Sequence, residues 1–245
     1  MLLIIGNNRD DVIYFKTMMK DIKEENILNQ YRAFTGKIFN QEVMVLQDIY
    51  TSFVSSSLVT YLIDNYFILL VICVGTCQTL DTILKVGDVA VCQNAVFGDV
   101  DQIRSLRGTK LGQIPGYPQI FTCNPYIFKN AMNTLSLIPG LNVYATTFVS
   151  SSFYRRDLIL IEELGLQENI ANKNIHRVID GETAGIALAT SLFDIPFLSI
   201  KVVDSVAGEK TSVNDYVKVL EKYSLIGKAI VSIIGEISTS DVVRE

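Results

Sequence analysis

The sequence predicts an α/β fold: a single-domain, three-layer α/β/α sandwich built on a central mixed, twisted sheet and spanning residues 1–245. Three observations predict it. Short β-branched runs alternate with helical patterns along the chain. No all-polar linker interrupts that alternation. The 245 residues, 49% of them apolar and 19% charged, supply one large core and little material for a second.

The elements follow in order. Leu2 to Ile5 is an unbroken apolar run, the pattern of a strand buried on both faces. A helical pattern runs from Asp10 to Ile22. Tyr31 to Ile38 and Glu42 to Gln47 flank a short turn containing Asn40, so an antiparallel hairpin is expected and the sheet is mixed rather than purely doubly wound. Ser55 to Asp64 reads as a helix and Phe67 to Val74 as a buried strand, followed by a strand at Val86 to Cys92. A helix at Pro125 to Leu135 precedes a strand at Leu141 to Phe148, and another helix is expected at Arg155 to Leu164. The short strand Val178 to Ile179 leads into a helix of small residues, Thr183 to Phe193. Phe197 to Val203 is the last strand. The final helix, Val213 to Ile234, mixes Val217, Leu220 and Ile230 with Lys218, Glu221 and Lys222, which suits packing on a sheet.

Composition removes several function classes. With 21 Lys+Arg against 26 Asp+Glu, the formal net charge is -5, so the attraction behind nonspecific nucleic-acid binding is missing. Nucleic acid is not an expected partner, and neither is a membrane. The apolar stretch Tyr61 to Gly75 is broken by Asp64 and Asn65, leaving about ten apolar residues, half of what a spanning helix needs. Cys73, Cys77, Cys92 and Cys123 are too few for a disulfide scaffold and read as buried free thiols. The one histidine, His176, gives them no zinc partner nearby in sequence, so neither metal nor cofactor is expected. Met1 runs straight into the first strand without a signal-peptide pattern, and the expected compartment is the cytoplasm.

In open α/β sheets, ligands bind beyond the carboxyl ends of the strands. Five strand exits are therefore of interest. Gly6 precedes Asn7-Asn8-Arg9-Asp10-Asp11, where the acids either favour a helix N-terminus or act on a ligand. Gly75-Thr76 can present an N–H and a hydroxyl to a sugar oxygen, but lacks a glycine-lysine phosphate cradle. Phe97-Gly98-Asp99-Val100-Asp101 leads to Gly112-Gln113-Ile114-Pro115-Gly116-Tyr117-Pro118, a stiff irregular loop able to wall a pocket or form a plain turn. Asp180-Gly181-Glu182 stands where a carboxylate either caps a helix or holds a pair of ligand hydroxyls. Asp204, ending the last strand, can exchange a proton with a ligand or cap the next segment of chain.

These segments together resemble the purine nucleoside phosphorylase and uridine phosphorylase superfamily, and within it the 5′-methylthioadenosine/S-adenosylhomocysteine nucleosidases. The resemblance rests on Gly6 with its acidic helix start, LKVGD at Leu84 to Asp88, Asp99-Val100-Asp101, GQIPG at Gly112 to Gly116, and DGETAGIA at Asp180 to Ala187. It implies hydrolysis of the N-glycosidic bond of a purine nucleoside by a homodimer. It assigns Asp11 to the water-activating acid, shortened by one methylene from the family's Glu, and Glu182 to the ribose hydroxyls. Gly75, Thr76 and Gly181 fall among its substrate-binding positions. Phe153, with Tyr154 beside it, falls where the family has an aromatic against the purine. Phosphorylases of the superfamily carry an arginine on the strand before the Gly-Ser loop; here that strand has no basic residue, so water is the expected nucleophile. A phosphorylase would have to draw on Arg104, Arg107 or Arg155.

The sequence departs from the family at its last exit, where the family's Ser-Asp becomes Asp204-Ser205. One step along a strand turns a side chain to the opposite face, so Asp204 reaches the acid's position only through a bulge or slip. The family's Gly-Gly becomes Gln78-Thr79, its Met before the ribose Glu becomes Gly181, and its His before Asp-x-Asp becomes Gly98. The alternative reading is therefore a catalytically impaired purine- or nucleoside-binding protein on the same fold.

Overall fold

All five residues of β1 (Leu2–Gly6) are buried, so the strand must lie inside a sheet covered on both faces. The computed structural model describes residues 1–81, 83–101, 108–152, 176–207 and 212–239. After β1 come α1 (Arg9–Met18), β2 (Lys20–Ile27), β3 (Tyr31–Ile38), β4 (Gln41–Leu46) and α2 (Ser52–Asn65). The middle of the chain forms β5 (Leu70–Thr79), β6 (Val89–Phe97), β7 (Phe121–Thr122), α3 (Pro125–Ser136) and β8 (Val143–Ser150). The last described elements are β9 (His176–Asp180), α4 (Thr183–Ser191), β10 (Phe197–Val206) and α5 (Val213–Thr239).

The sheet is mixed, as the early hairpin predicts. β1 is flanked by β4 and β5, both parallel to it. On one side β4, β3 and β2 continue as antiparallel neighbours. On the other, β10 runs parallel to β5 and antiparallel to β6, β6 pairs β8, β8 pairs β9, and β9 returns to β5. Those five strands close on one another, so the β5 and β10 exits face a ring rather than an open edge. α2 and α4 form one helical layer, and α5 with α1 and α3 the other. A Cβ on Gly185 would collide with the Ser52 carbonyl oxygen, so the small-residue helix α4 is what lets α2 lie against it.

Several boundaries differ from the sequence expectation. α1 ends at Met18, and Lys20–Ile27, partly assigned to that helix, is instead a strand. β2 is a sheet edge, almost wholly exposed, and an edge strand needs charge rather than an apolar pattern. β5 does not stop at Val74 but runs on to Thr79, placing Gly75 and Thr76 inside a strand. β6 begins at Val89, because Lys85–Asp88 closes a turn in which the Lys85 amide donates to Asp88 Oδ2 at 2.8 Å. The expected helix at Arg155 to Leu164 lies outside the described residues.

Candidate active site

β1 delivers its exit to α1 through a tight reversal. A Cβ on Gly6 would lie 2.6 Å from Val12 Cγ1 and 2.9 Å from Asp11 Cβ, so the glycine is what allows the helix to fold back over the strand. Asp11 is thereby buried. Its Oδ2 accepts the Asn8 amide at 2.8 Å, a helix-start contact. Its Oδ1 is equally buried and has no hydrogen-bond partner, and Tyr223 of α5 lines the same cavity. Burial raises the Asp11 pKa above the ordinary aspartate value, and Tyr223, Asn8 and the charge of Lys201 only partly offset this.

The Asp180-Gly181-Glu182 exit divides its two acids between the two roles open to them. Asp180 caps: its Oδ2 accepts the Thr183 amide at 3.1 Å and the Thr183 hydroxyl, and its Oδ1 accepts the Ser150 hydroxyl. Glu182 faces inward, with Oε2 accepting from Asn7 Nδ2 at 3.0 Å and Oε1 from Lys201 Nζ. Ser52 and Ser55 of α2 hold this turn by donating to the carbonyls of Gly181 and Glu182 at 2.9 and 3.0 Å. Lys201 is wholly buried in β10; Nζ also donates to Asn7 Oδ1 at 3.2 Å and lies 3.8 Å from Asp180 Oδ2. Burial works against its charge, but Cys73, Asp180 and Asp11 act the other way, and its pKa ends above the ordinary lysine value.

Gly75 forms the floor beneath these groups. Its φ is +152°, and a Cβ there would meet Asn7 Oδ1 at 2.5 Å and both Asp11 Oδ2 and Lys201 Nζ at 3.2 Å. Any side chain at 75 would displace the polar cluster.

At the last exit, β10 pairs Val203 with Cys77 and then Ser205 with Gln78, so Asp204 is an extra residue in the ladder. The bulge frees Asp204 from strict alternation. Asp204 and Ser205 both line the cavity, and Ser205 Oγ donates to Asp204 Oδ1 at 2.6 Å. The reversed order therefore does not turn the acid away from the site.

One cavity of about 890 Å³ is lined by Asp11, Thr76, Gly181, Glu182, Asp204 and Ser205, among others. Six of the nine sequence-selected site residues thus share it, and Gly75 lies beneath it. Phe153 and Tyr154 lie outside the described residues, as do Arg104, Arg107 and Arg155. The Gly112 to Gly116 loop does not line the cavity, whereas Asp99 holds its wall, accepting the Ser152 amide at 2.8 Å. Sequence reasoning missed Asn7, Lys201 and Tyr223. Lys201 carried a signal, because a lysine inside a strand buried on both faces requires buried acids around it. The four cysteines are free and buried.

A family model described as the phosphorylase superfamily matches residues 2–234. A 5′-methylthioadenosine/S-adenosylhomocysteine nucleosidase of Staphylococcus epidermidis is 26% identical over 241 residues, covering 96% of this chain and 99% of that protein. The crystal structure of a nucleosidase of the same name from Neisseria meningitidis, in complex with methylthio-immucillin-A, superposes with a TM-score of 0.83 at 20% identity, covering 96% of this chain and 98% of the other. The futalosine hydrolase of Helicobacter pylori gives 0.82 at 18% identity, covering 96% and 97%.

Proposed function

The chain belongs to the phosphorylase superfamily, and on that premise we propose that it is a purine nucleosidase, hydrolysing the N-glycosidic bond of 5′-methylthioadenosine- or S-adenosylhomocysteine-like nucleosides. The observation that carries this reading is the meeting of Asp11, Glu182 and Asp204 in one cavity. Asp11 Oδ1, buried and free to accept a hydrogen bond, takes the proton of the attacking water. Glu182, held from both sides by Asn7 and Lys201, receives the ribose hydroxyls as the sugar gains positive charge. Asp204 gives its proton to the purine nitrogen as the C–N bond breaks. Water adds to the sugar, the base leaves protonated, and Asp11 returns the proton that restores the site.

Water rather than phosphate is the nucleophile. Among the described residues the buried cation at the site, Lys201, is committed to Glu182, Asn7 and Asp180, and Arg9 lines the cavity as an exposed residue, so the dependence of base release on added phosphate tests this point. The binding-only alternative rested on the reversed Asp204-Ser205 order together with Gln78-Thr79; the bulge answers the first motive, and Gln78 lines the cavity. The family resemblance assigns Phe153, with Tyr154 beside it, to the purine. One domain over residues 1–245 acts in the cytoplasm as a homodimer. Phe53, 73% exposed, and Tyr50, 47% exposed, supply apolar surface for the partner beside the Gly181 turn; light scattering at the mass of a single chain would remove the dimer.

The test is incubation of purified protein with 5′-methylthioadenosine, S-adenosylhomocysteine, adenosine and inosine, following free base. Base release independent of added phosphate is expected. No release from any of the four at high protein concentration would end the reading.

A further inference from the structure

One cavity-lining side chain stands where the family resemblance calls for glycine, and the proposed hydrolysis gives it no role. Gln78, near the end of β5, lines the cavity. Its backbone is paired on both sides, with Ser205 of β10 and with Ile179 of β9, so the part of the residue that meets the cavity is its side chain. Cys77 and Thr79 on either side are buried, whereas Gln78 is half-buried. Ser205 adjoins Asp204, which puts Gln78 one strand spacing, about 5 Å, from the acid end of the cavity. Ile179 also lines the cavity and gives that end an apolar wall. Among the described residues no group is hydrogen-bonded to the Gln78 amide. An amide set against an apolar wall with donor and acceptor both open is matched by a ligand that offers the complementary pair. With the side chain in place the cavity still measures about 890 Å³, within the range of small-molecule sites.

We propose that Gln78 is a specificity-determining residue: its amide pairs with the C6 substituent of the purine and the ring nitrogen beside it. The proposal deepens the nucleosidase reading and rests on it for the placement of the base beside Asp204. A 6-aminopurine presents an N–H donor next to the N1 acceptor, so Oε1 accepts and Nε2 donates. A 6-oxopurine presents an oxygen next to N1–H, and the same amide turned over meets it with the roles exchanged. The site therefore takes adenine-type and hypoxanthine-type bases alike. It disfavours a purine with hydrogen at C6, which leaves half of the amide unpaired. A glycine at this position has no side chain with which to discriminate. Thr79, the second replacement, does not compete for the base, because it is buried and its hydroxyl is engaged with the Asp81 backbone at 3.0 and 3.2 Å.

The experiment compares, by calorimetry, the binding of adenine, hypoxanthine and unsubstituted purine to wild type and to Q78L, which keeps the bulk and removes the amide. Wild type is expected to bind the two substituted bases about tenfold more tightly than purine. Q78L, with its thermal midpoint near the wild-type value, should bind all three equally. Base release from adenosine, inosine and purine riboside should show the same loss of preference in kcat/KM. Q78G, which restores the family's glycine, repeats the comparison if leucine disturbs the fold. A preference for C6-substituted bases that survives in these variants, or its absence from wild type, would overturn the proposal even with all three nucleosides cleaved. A binding preference that depends on Gln78, without turnover of any nucleoside, would uphold the proposal and strike the hydrolysis alone. Wild type that binds none of the three bases would end both.

Discussion

The two ends of the cavity are built differently. Around Glu182, polar atoms are buried and cross-braced: Lys201 bridges to Glu182 and Asn7, Asn7 returns to Glu182, and Asp180 anchors the turn to α4. Around Asp204, the acid is half-buried at a bulge and takes a hydrogen bond from the neighbouring Ser205. The braced end lies where the proposed reaction develops positive charge on the sugar, and fixed dipoles there need no rearrangement as that charge appears. The looser end lies where the base must arrive, accept a proton and leave. Folding energy and catalysis are therefore coupled at one end and separable at the other.

The sharpest way to break that contrast is K201M. Methionine keeps the apolar stem but leaves Glu182 and Asp180 buried without their cation, a loss on the order of 3 to 5 kcal/mol. For a chain of this size that is roughly a 10 °C fall in thermal midpoint, and base release should fall with it. A variant as stable as wild type would mean that the braced end contributes nothing to folding. D204N is the matching change at the other end. Its expected signature is a loss of about 10²- to 10⁴-fold in kcat, the worth of a positioned acid, with the thermal midpoint unmoved. Wild-type rates in D204N would show that the leaving base takes its proton elsewhere.

The same contrast explains what could be read from the sequence. Apolar strands and amphipathic helices announced the order of elements, because burial on both faces leaves an unbroken β-branched run. The edge strand Lys20–Ile27 did not, since KDIKEENI carries no core pattern. Asp11, Glu182 and Asp204 were legible as acids at strand exits. Lys201 was hidden within a strand whose other residues are mostly apolar, and Tyr223 within a helix judged only by its apolar stripe. The bulge at Asp204 was not legible at all, because it arises from how β10 registers against β5 rather than from the identity of any residue.

Ser205 tests the looser end most finely. Its hydroxyl donates to Asp204 Oδ1 at 2.6 Å, and the bulged backbone alone leaves the carboxylate free to turn about its own χ angles. S205A removes that restraint without emptying the core. A hydrogen bond of this kind is worth about 1 kcal/mol, so kcat should fall roughly fivefold, with little change in thermal midpoint. A loss approaching that of D204N would mean that Ser205 itself touches the base, and the Asp204 end would then be a two-residue acid. No loss would mean that the bulge by itself aims Asp204, and that the extra residue in the ladder is sufficient to compensate for the reversed order.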